Sequence, residues 1–84
     1  MLKIEVLGPG CSKCRTLEKN VRTALEEMGV EAEVTKVEKI KDLAARRIMM
    51  TPGLAVNGET VSAGHLLSVH QIKKILDGRV QLER

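Results

Sequence analysis

The 84-residue sequence predicts an α/β fold: a four-stranded mixed sheet with helices on both faces, in the order β-α-β-α-β-β-α. Three observations carry that expectation. Two stretches alternate apolar and polar residues, as half-buried strands do, and each is followed by apolar residues at helical spacing. Asn57-Gly58 between two short strand-like runs is a two-residue hairpin signal. Ser68 with Gln71 three residues on is a capping box that opens a last helix.

The elements follow in order. Leu2 to Leu7 alternates and then runs apolar, and reads as a strand. Gly8-Pro9-Gly10 breaks it, in a turn whose backbone can come close to another molecule. A helix is expected from about Ser12 to Met28, with Cys14, Leu17, Val21, Ala24, Leu25 and Met28 on one face. Glu18 and Arg22 lie four apart on its outside, in the favourable order. Gly29 suits its C-terminal cap. Val30 to Val37 alternates again, as a second strand. Lys39 to Met49 reads as a shorter helix, with Ile40, Leu43, Ala44 and Ile48 inward and Arg46 and Arg47 near its negative end. Thr51-Pro52 stops it, and strands 53–56 and 59–63 flank the hairpin turn. The last helix, with Val69, Ile72, Ile75 and Leu76 as its apolar face, is expected to end near Gly78. Residues 79–84 read as a fraying tail of one domain spanning 1–84. Helical crossovers between the first three strands predict parallel pairings, and the hairpin adds an antiparallel edge.

Composition excludes several function classes. Apolar residues make up 43% of the chain with no Phe, Tyr or Trp, so aliphatic side chains must build the core and nothing can stack on bases. The net charge of +3 comes from interspersed charges, and no basic run exceeds two residues, which excludes a phosphate-binding patch. No nucleic-acid partner is therefore expected. No stretch approaches the ~20 apolar residues of a membrane helix, so no membrane association is expected either. Met1 leads straight into a strand with no signal-peptide pattern, and the expected compartment is the cytoplasm.

The chemistry concentrates in Cys11-Ser12-Lys13-Cys14, which holds both cysteines of the chain and opens the first helix. Two intervening residues let the sulfurs close a small ring, and such a pair reads as a dithiol–disulfide redox motif. The partial positive charge of a helix N-terminus favours the thiolate of the first cysteine, and the thiolate is the attacking species. The same two thiolates also suit half of a tetrahedral zinc site or a linear copper(I) ion, so a metal-binding or transfer module is the alternative. Lys13 is either an electrostatic aid to the thiolate or an exposed first-turn lysine. His65 and His70 lack any ligand spacing and read as surface residues. Of Met49 and Met50, one is expected in the core and the other as a soft apolar contact for a partner.

The element order, Cys-x-x-Cys after the first strand and Thr51-Pro52 before the hairpin resemble the thioredoxin superfamily. Residues 8–14, Gly-x-Gly-Cys-x-x-Cys, and residues 51–59, Thr-Pro-Gly-Leu-Ala-Val-Asn-Gly-Glu, resemble its small, glutaredoxin-sized members from archaea and bacteria. The resemblance covers about residues 2–78. It implies a thioredoxin-like fold, with Cys11 as exposed nucleophile and Cys14 as buried resolving thiol. It also implies a cis Thr51-Pro52 bond beside the disulfide, and a substrate-binding surface of Gly10, Thr51 and Pro52. The implied function is thiol–disulfide exchange on disulfide-containing protein substrates, with a reductase or thiol as electron donor, no bound cofactor and a monomeric state. A glutathione-linked, glutaredoxin-like activity is a third reading. Two departures stand out: Gly10 occupies a position that is aromatic in the best-known members, and Ser12-Lys13 replaces their Gly-Pro or Pro-Tyr. Glu5 falls six residues before Cys11, the spacing of the family's buried acid, although a strand residue paired with a lysine is the competing reading.

Overall fold

The computed structural model describes residues 2–10, 12–48 and 50–82, with 79–82 as backbone only. The elements run β1 (Leu2–Leu7), α1 (Ser12–Met28), β2 (Ala32–Val37), α2 (Ile40–Ala45), β3 (Gly53–Val56), β4 (Glu59–Ala63) and α3 (Val69–Leu82). The four strands form one mixed sheet in the order β2-β1-β3-β4.

Strand β1 pairs parallel with β2, Leu2 opposite Ala32 through Leu7 opposite Val37. It pairs antiparallel with β3, from Ile4 opposite Val56 to Leu7 opposite Gly53. The second pairing corrects the expectation of parallel strands throughout, and helix length explains why. The 17 residues of α1 span roughly 25 Å at 1.5 Å per residue, enough to carry the chain back along the sheet. The six residues of α2 span only about 9 Å, less than half the ~20 Å of a six-residue strand. The chain therefore leaves β2 and enters β3 at the same end of the sheet.

Helix ends account for two further differences. Helix α1 closes on Gly29 at φ 66°, with Gly29 N–H donating to Glu26 O and Val30 N–H to Leu25 O. Val30 thus belongs to a two-bond C-cap, and β2 begins at Ala32. Helix α2 ends four residues earlier than expected through the same pair of bonds, Arg47 N–H to Ala44 O and Ile48 N–H to Leu43 O. Here the left-handed position, φ 59°, is held by Arg47 where glycine is usual. Leu43 is buried and Ile48 packs against its cluster, while Ile40 is 77% exposed and Ala44 is also exposed, contrary to their inward assignment. Helix α3 runs past Gly78 to Leu82, because a single mid-helix glycine costs only about 1 kcal/mol and the following Arg, Gln and Leu favour helix. The expected helix end near Gly78 is therefore corrected to Leu82, and residues 83–84 lie outside the described residues.

The core is two-sided and uneven. Ile4, Val6, Leu54 and Val56 meet Leu17, Val21 and Ala24 of α1 and Ile72 and Leu76 of α3 on one face. On the other face Leu7 and Ala55 meet only Leu43 of α2. The Asn57-Gly58 turn has φ 52° and 85°, the primed geometry its sequence predicts. Asn57 exchanges bonds with Lys3: Lys3 N–H donates to Asn57 Oδ1 at 2.9 Å and Asn57 N–H to Lys3 O at 2.7 Å. The capping box forms as expected, Gln71 N–H donating to Ser68 Oγ and Ser68 N–H to Gln71 Oε1.

Ile72 is fully buried at the junction of α3, α1 and the sheet. Ile72→Ala is expected to destabilise the protein by about 2–5 kcal/mol, read as a lower urea midpoint at unchanged m-value.

Candidate active site

The double pairing of β1 brings three segments to one end of the sheet: the bend 8–10 after β1, residue 38 after β2, and residues 51–52 before β3. Gly8 is where they meet. Its N–H donates to Val37 O at 2.9 Å, which holds the bend to the end of β2. A Cβ at Gly8 would overlap Cys14 Sγ and would lie 3.5 Å from Thr51 Cβ. The sulfur of Cys14 is therefore seated against the backbone at a position that tolerates no side chain.

Cys14 reaches that seat because it is the third residue of α1, on the face that buries Leu17 and Val21, and it is only 4% exposed. Ser12 and Lys13 are exposed on the same turn, which fits the solvated reading of Lys13. Cys11, the expected nucleophile, lies outside the described residues, and so does Met49, one of the two methionines of which one was expected in the core. The Thr51–Pro52 peptide is cis, as the family resemblance implied. Pro52 is buried and its carbonyl accepts from Gly64 N–H at 2.9 Å, while Thr51 is exposed beside the Cys14 seat. Met50, 64% exposed, lies over Gly64, whose missing Cβ would stand 2.9 Å from Met50 Cβ. Met50 is thus a surface methionine at this end of the molecule.

A cavity of about 190 Å³ opens onto Cys14, floored by Val6, Gly8 and Gly10. Arg15, Lys36 and Glu38 supply its charged walls, and none of these three was singled out from the sequence. For Glu38 the signal was available in the topology: a residue just after a strand parallel to β1 must face the loop just after β1. Gly10 has φ 85°, its carbonyl accepts from Arg15 Nε at 3.3 Å, and a Glu38 carboxylate oxygen stands 3.0 Å from where its Cβ would be. Lys36 pairs with Glu18 at 3.4 Å, and Glu18 also accepts from Arg22 at 3.0 Å. The Arg22 hydrogen bond, aided by Lys36 and opposed by burial, holds the Glu18 carboxyl below its ordinary value of 4.5.

Glu5 does not face this cavity. It alternates with Ile4 and Val6, so it points to the other side of the sheet. There Arg46 grips both its oxygens, at 2.7 and 2.6 Å. The partner is an arginine where a lysine had been the competing expectation, and this pairing holds the Arg46 pKa above its ordinary range. His65 and His70 are exposed, and among the described residues no three His, Cys, Asp or Glu side chains form a group that could hold a metal.

Two outcomes test this geometry. Gly8→Ala drives a methyl group into Cys14 Sγ and is expected to cost about 1–3 kcal/mol in denaturant unfolding. The lowered Glu18 pKa means that its ion pairs stabilise the fold above 4.5 and lose that contribution as pH falls through the folded-state value. Glu18→Gln is therefore expected to be less stable than the parent at pH 7 by up to about 1 kcal/mol, with the gap closing on acidification, as read by thermal unfolding across pH.

The sequence and fold were compared with known proteins. Residues 2–77 match the family model described as "Thioredoxin domain". A protein named thioredoxin from Methanothermobacter thermautotrophicus is 42% identical over 76 residues, covering 90% of this chain and 99% of its own. Another protein so named, from Methanocaldococcus jannaschii, is 38% identical over 76 residues, covering 90% of this chain and 87% of its own. Among solved structures, chloroplastic thioredoxin z superposes with a TM-score of 0.73 at 20% identity, covering 98% of this chain and 80% of that one. A malarial protein superposes at 0.68 and 14% identity, covering 93% and 96%. These two share the fold. Among the described residues no helix is long and apolar enough to cross a membrane. By family model and relatives together, the chain belongs to the thioredoxin domain family, and its function is of the thiol–disulfide oxidoreductase kind.

Proposed function

We propose that the chain, acting as one domain over residues 1–84, reduces disulfides of protein substrates through a Cys11/Cys14 dithiol. The observation that carries this reading is the seating of Cys14 Sγ against Gly8, with Thr51 of the cis Thr51–Pro52 bond on the same contact. A buried second cysteine on the apolar face of α1, beside an exposed segment that can receive a substrate backbone, is the arrangement a resolving thiol needs.

The chemistry proceeds in two exchanges. Cys11, at the N-terminus of α1, attacks one sulfur of the target disulfide as thiolate, releases the other target sulfur, and remains joined to the target in a mixed disulfide. Cys14 then attacks Cys11, the reduced target leaves, and the Cys11–Cys14 disulfide remains. An electron-donating reductase or small thiol restores the dithiol. The cysteine pair carries both electrons, so no bound cofactor takes part. Gly10, Thr51 and Pro52 form the surface against which an extended substrate segment lies, Thr51 offering backbone groups in the manner of strand addition. The working form is a cytoplasmic monomer.

A redox titration against glutathione and dithiothreitol tests the couple, with alkylation and mass measurement as the readout. A reversible two-electron transition is expected, between about −270 and −120 mV, the span of such dithiols. Two thiols that remain alkylatable under every oxidising buffer would overturn the reading. Cys14→Ser is expected to accumulate a mixed disulfide with an oxidised protein substrate on non-reducing gels, and Cys11→Ser to accumulate little. The opposite pattern would exchange the two roles.

A further inference from the structure

The excess positive charge of the chain sits in one place. Residues 36–47 carry Lys36, Lys39, Lys41, Arg46 and Arg47 against Glu38 and Asp42, a net +3 that equals the charge of the whole chain. The other 72 residues hold nine cations and nine acids. This segment is α2 with the turns on either side of it. Four of its charges are committed within the fold. Lys36 pairs with Glu18 and Arg46 with Glu5. Glu38 turns toward Gly10, and Asp42 adds its field to that of Glu5 around Arg46. Lys39, Lys41 and Arg47 are exposed and make no ion pair among the described residues. Ile40 stands between the two lysines and is the most exposed large apolar side chain of those described. Ala44, one helical turn on, is exposed beside it. A lone exposed aliphatic residue is ordinary. One set among unpaired cations has the make-up of a small protein interface, an apolar centre with a charged rim. A phosphate backbone would engage the cations and leave Ile40 in water. An acidic protein segment that carries an aliphatic side chain satisfies both.

We propose that the outer surface of α2 selects acidic disulfide proteins as substrates. Lys39, Lys41 and Arg47 hold an Asp/Glu-rich segment, Ile40 takes an aliphatic side chain within it, and the disulfide beside that segment meets Cys11. The selection rests on the dithiol function proposed for Cys11 and Cys14 and adds the class of protein reduced. The surface adjoins the site closely enough for this. Ile40 is two residues beyond Glu38, which lines the cavity at Cys14, and a chain covers at most about 3.6 Å per residue. Arg47 is four residues before Thr51, which stands beside the Cys14 seat. The exchange itself is unchanged: the substrate disulfide gains two electrons and two protons, and the Cys11/Cys14 dithiol loses them. The cations act mainly on encounter, because surface charge steers association and is screened by salt.

The test uses dithiothreitol as electron donor, with its direct reaction subtracted, and synthetic peptides that share one intramolecular disulfide. Their flanking segments are Asp-Glu-Leu-Glu-Asp, Ser-Gln-Leu-Gln-Ser and Lys-Arg-Leu-Arg-Lys. At low ionic strength the acidic peptide is expected to show a kcat/KM about 10-fold above the neutral one, carried by KM, with the basic one lowest. The difference should vanish near 1 M salt, where the screening length is about 3 Å. Lys39→Gln with Lys41→Gln should bring the acidic-to-neutral ratio close to one, and Lys39→Glu with Lys41→Glu should invert it. Ile40→Ser should lower kcat/KM for the acidic peptide about 10-fold, and much less once Ser replaces Leu in its flank. Equal kcat/KM for all the peptides at low salt, or a preference untouched by these variants, overturns the docking surface. The acidic peptide with Ser for both cysteines cannot react and reports docking alone; its binding is expected to shift backbone amide resonances within residues 36–48. An oligothymidylate of equal charge that shifts the same resonances and competes equally makes the surface a general polyanion site and overturns the proposal. Binding of the Ser peptide there, with no disulfide peptide reduced, leaves the docking of acidic segments standing and overturns the dithiol function instead.

Discussion

Everything at the site depends on β1 being hydrogen-bonded along both edges, parallel to β2 and antiparallel to β3. A parallel neighbour ends where β1 ends, and an antiparallel neighbour begins there. The bend after β1, the residue after β2 and the residues before β3 are therefore forced together, although they lie up to 44 positions apart (8 to 52) in the chain. The start of α1 follows the same bend, so the helix delivers Cys14 into the convergence. Pairing supplies the coordinates, and the residues at those coordinates supply the chemistry.

The absence of aromatic residues shapes how tightly this is packed. Leu, Ile, Val and Ala carry the whole core, and the fully buried set includes Leu2, Ile4, Leu7, Leu17, Leu54, Ile72 and Leu76. Aliphatic side chains have no polar edge that needs a buried partner. The interior accordingly holds no buried polar or charged residue among those described, and charge is confined to the rims of the two faces. At the site Val6 and Cys14 line the cavity together, and its carboxylate, Glu38, stands in the wall.

Much of this was legible in the sequence, and the misses share a cause. Strands β3 and β4, their turn, helix α1 and the capping box of α3 rest on local signals: alternation, a dipeptide, an i to i+3 pair. Cys14 as the buried thiol follows from helical spacing alone, and the cis bond at Pro52 from family resemblance. The parallel pairing assigned to β3 failed because direction depends on how far a helix travels, and the length of α2 was overestimated. That overestimate in turn came from Arg47, a non-glycine residue in the left-handed cap position, which no local pattern announces. Glu38 escaped notice because its placement is a property of strand register rather than of neighbouring residues. Glu5 matched a spacing but not a face, since the length of the bend decides which side of the sheet each β1 residue serves.

The uneven layering divides the molecule's stability into two unequal parts. On the α1/α3 side, a dozen mutually packed aliphatic residues hold β1 and β3; on the α2 side, among the described residues, Leu43 is the one fully inserted residue, with Leu7 and Ala55 beneath it. Local opening free energies scale with such burial. Lifting α2 off the sheet forfeits little apolar contact, whereas separating α1 or α3 dismantles the core. Detachment of α2 and global unfolding are consequently separate events with separate free energies. The segment that leads into Pro52 belongs to the weaker unit, and the thiol at the head of α1 to the stronger. The reacting sulfur is thus anchored to the most persistent part of the fold, while the chain that receives a partner is tethered to the part most easily rearranged.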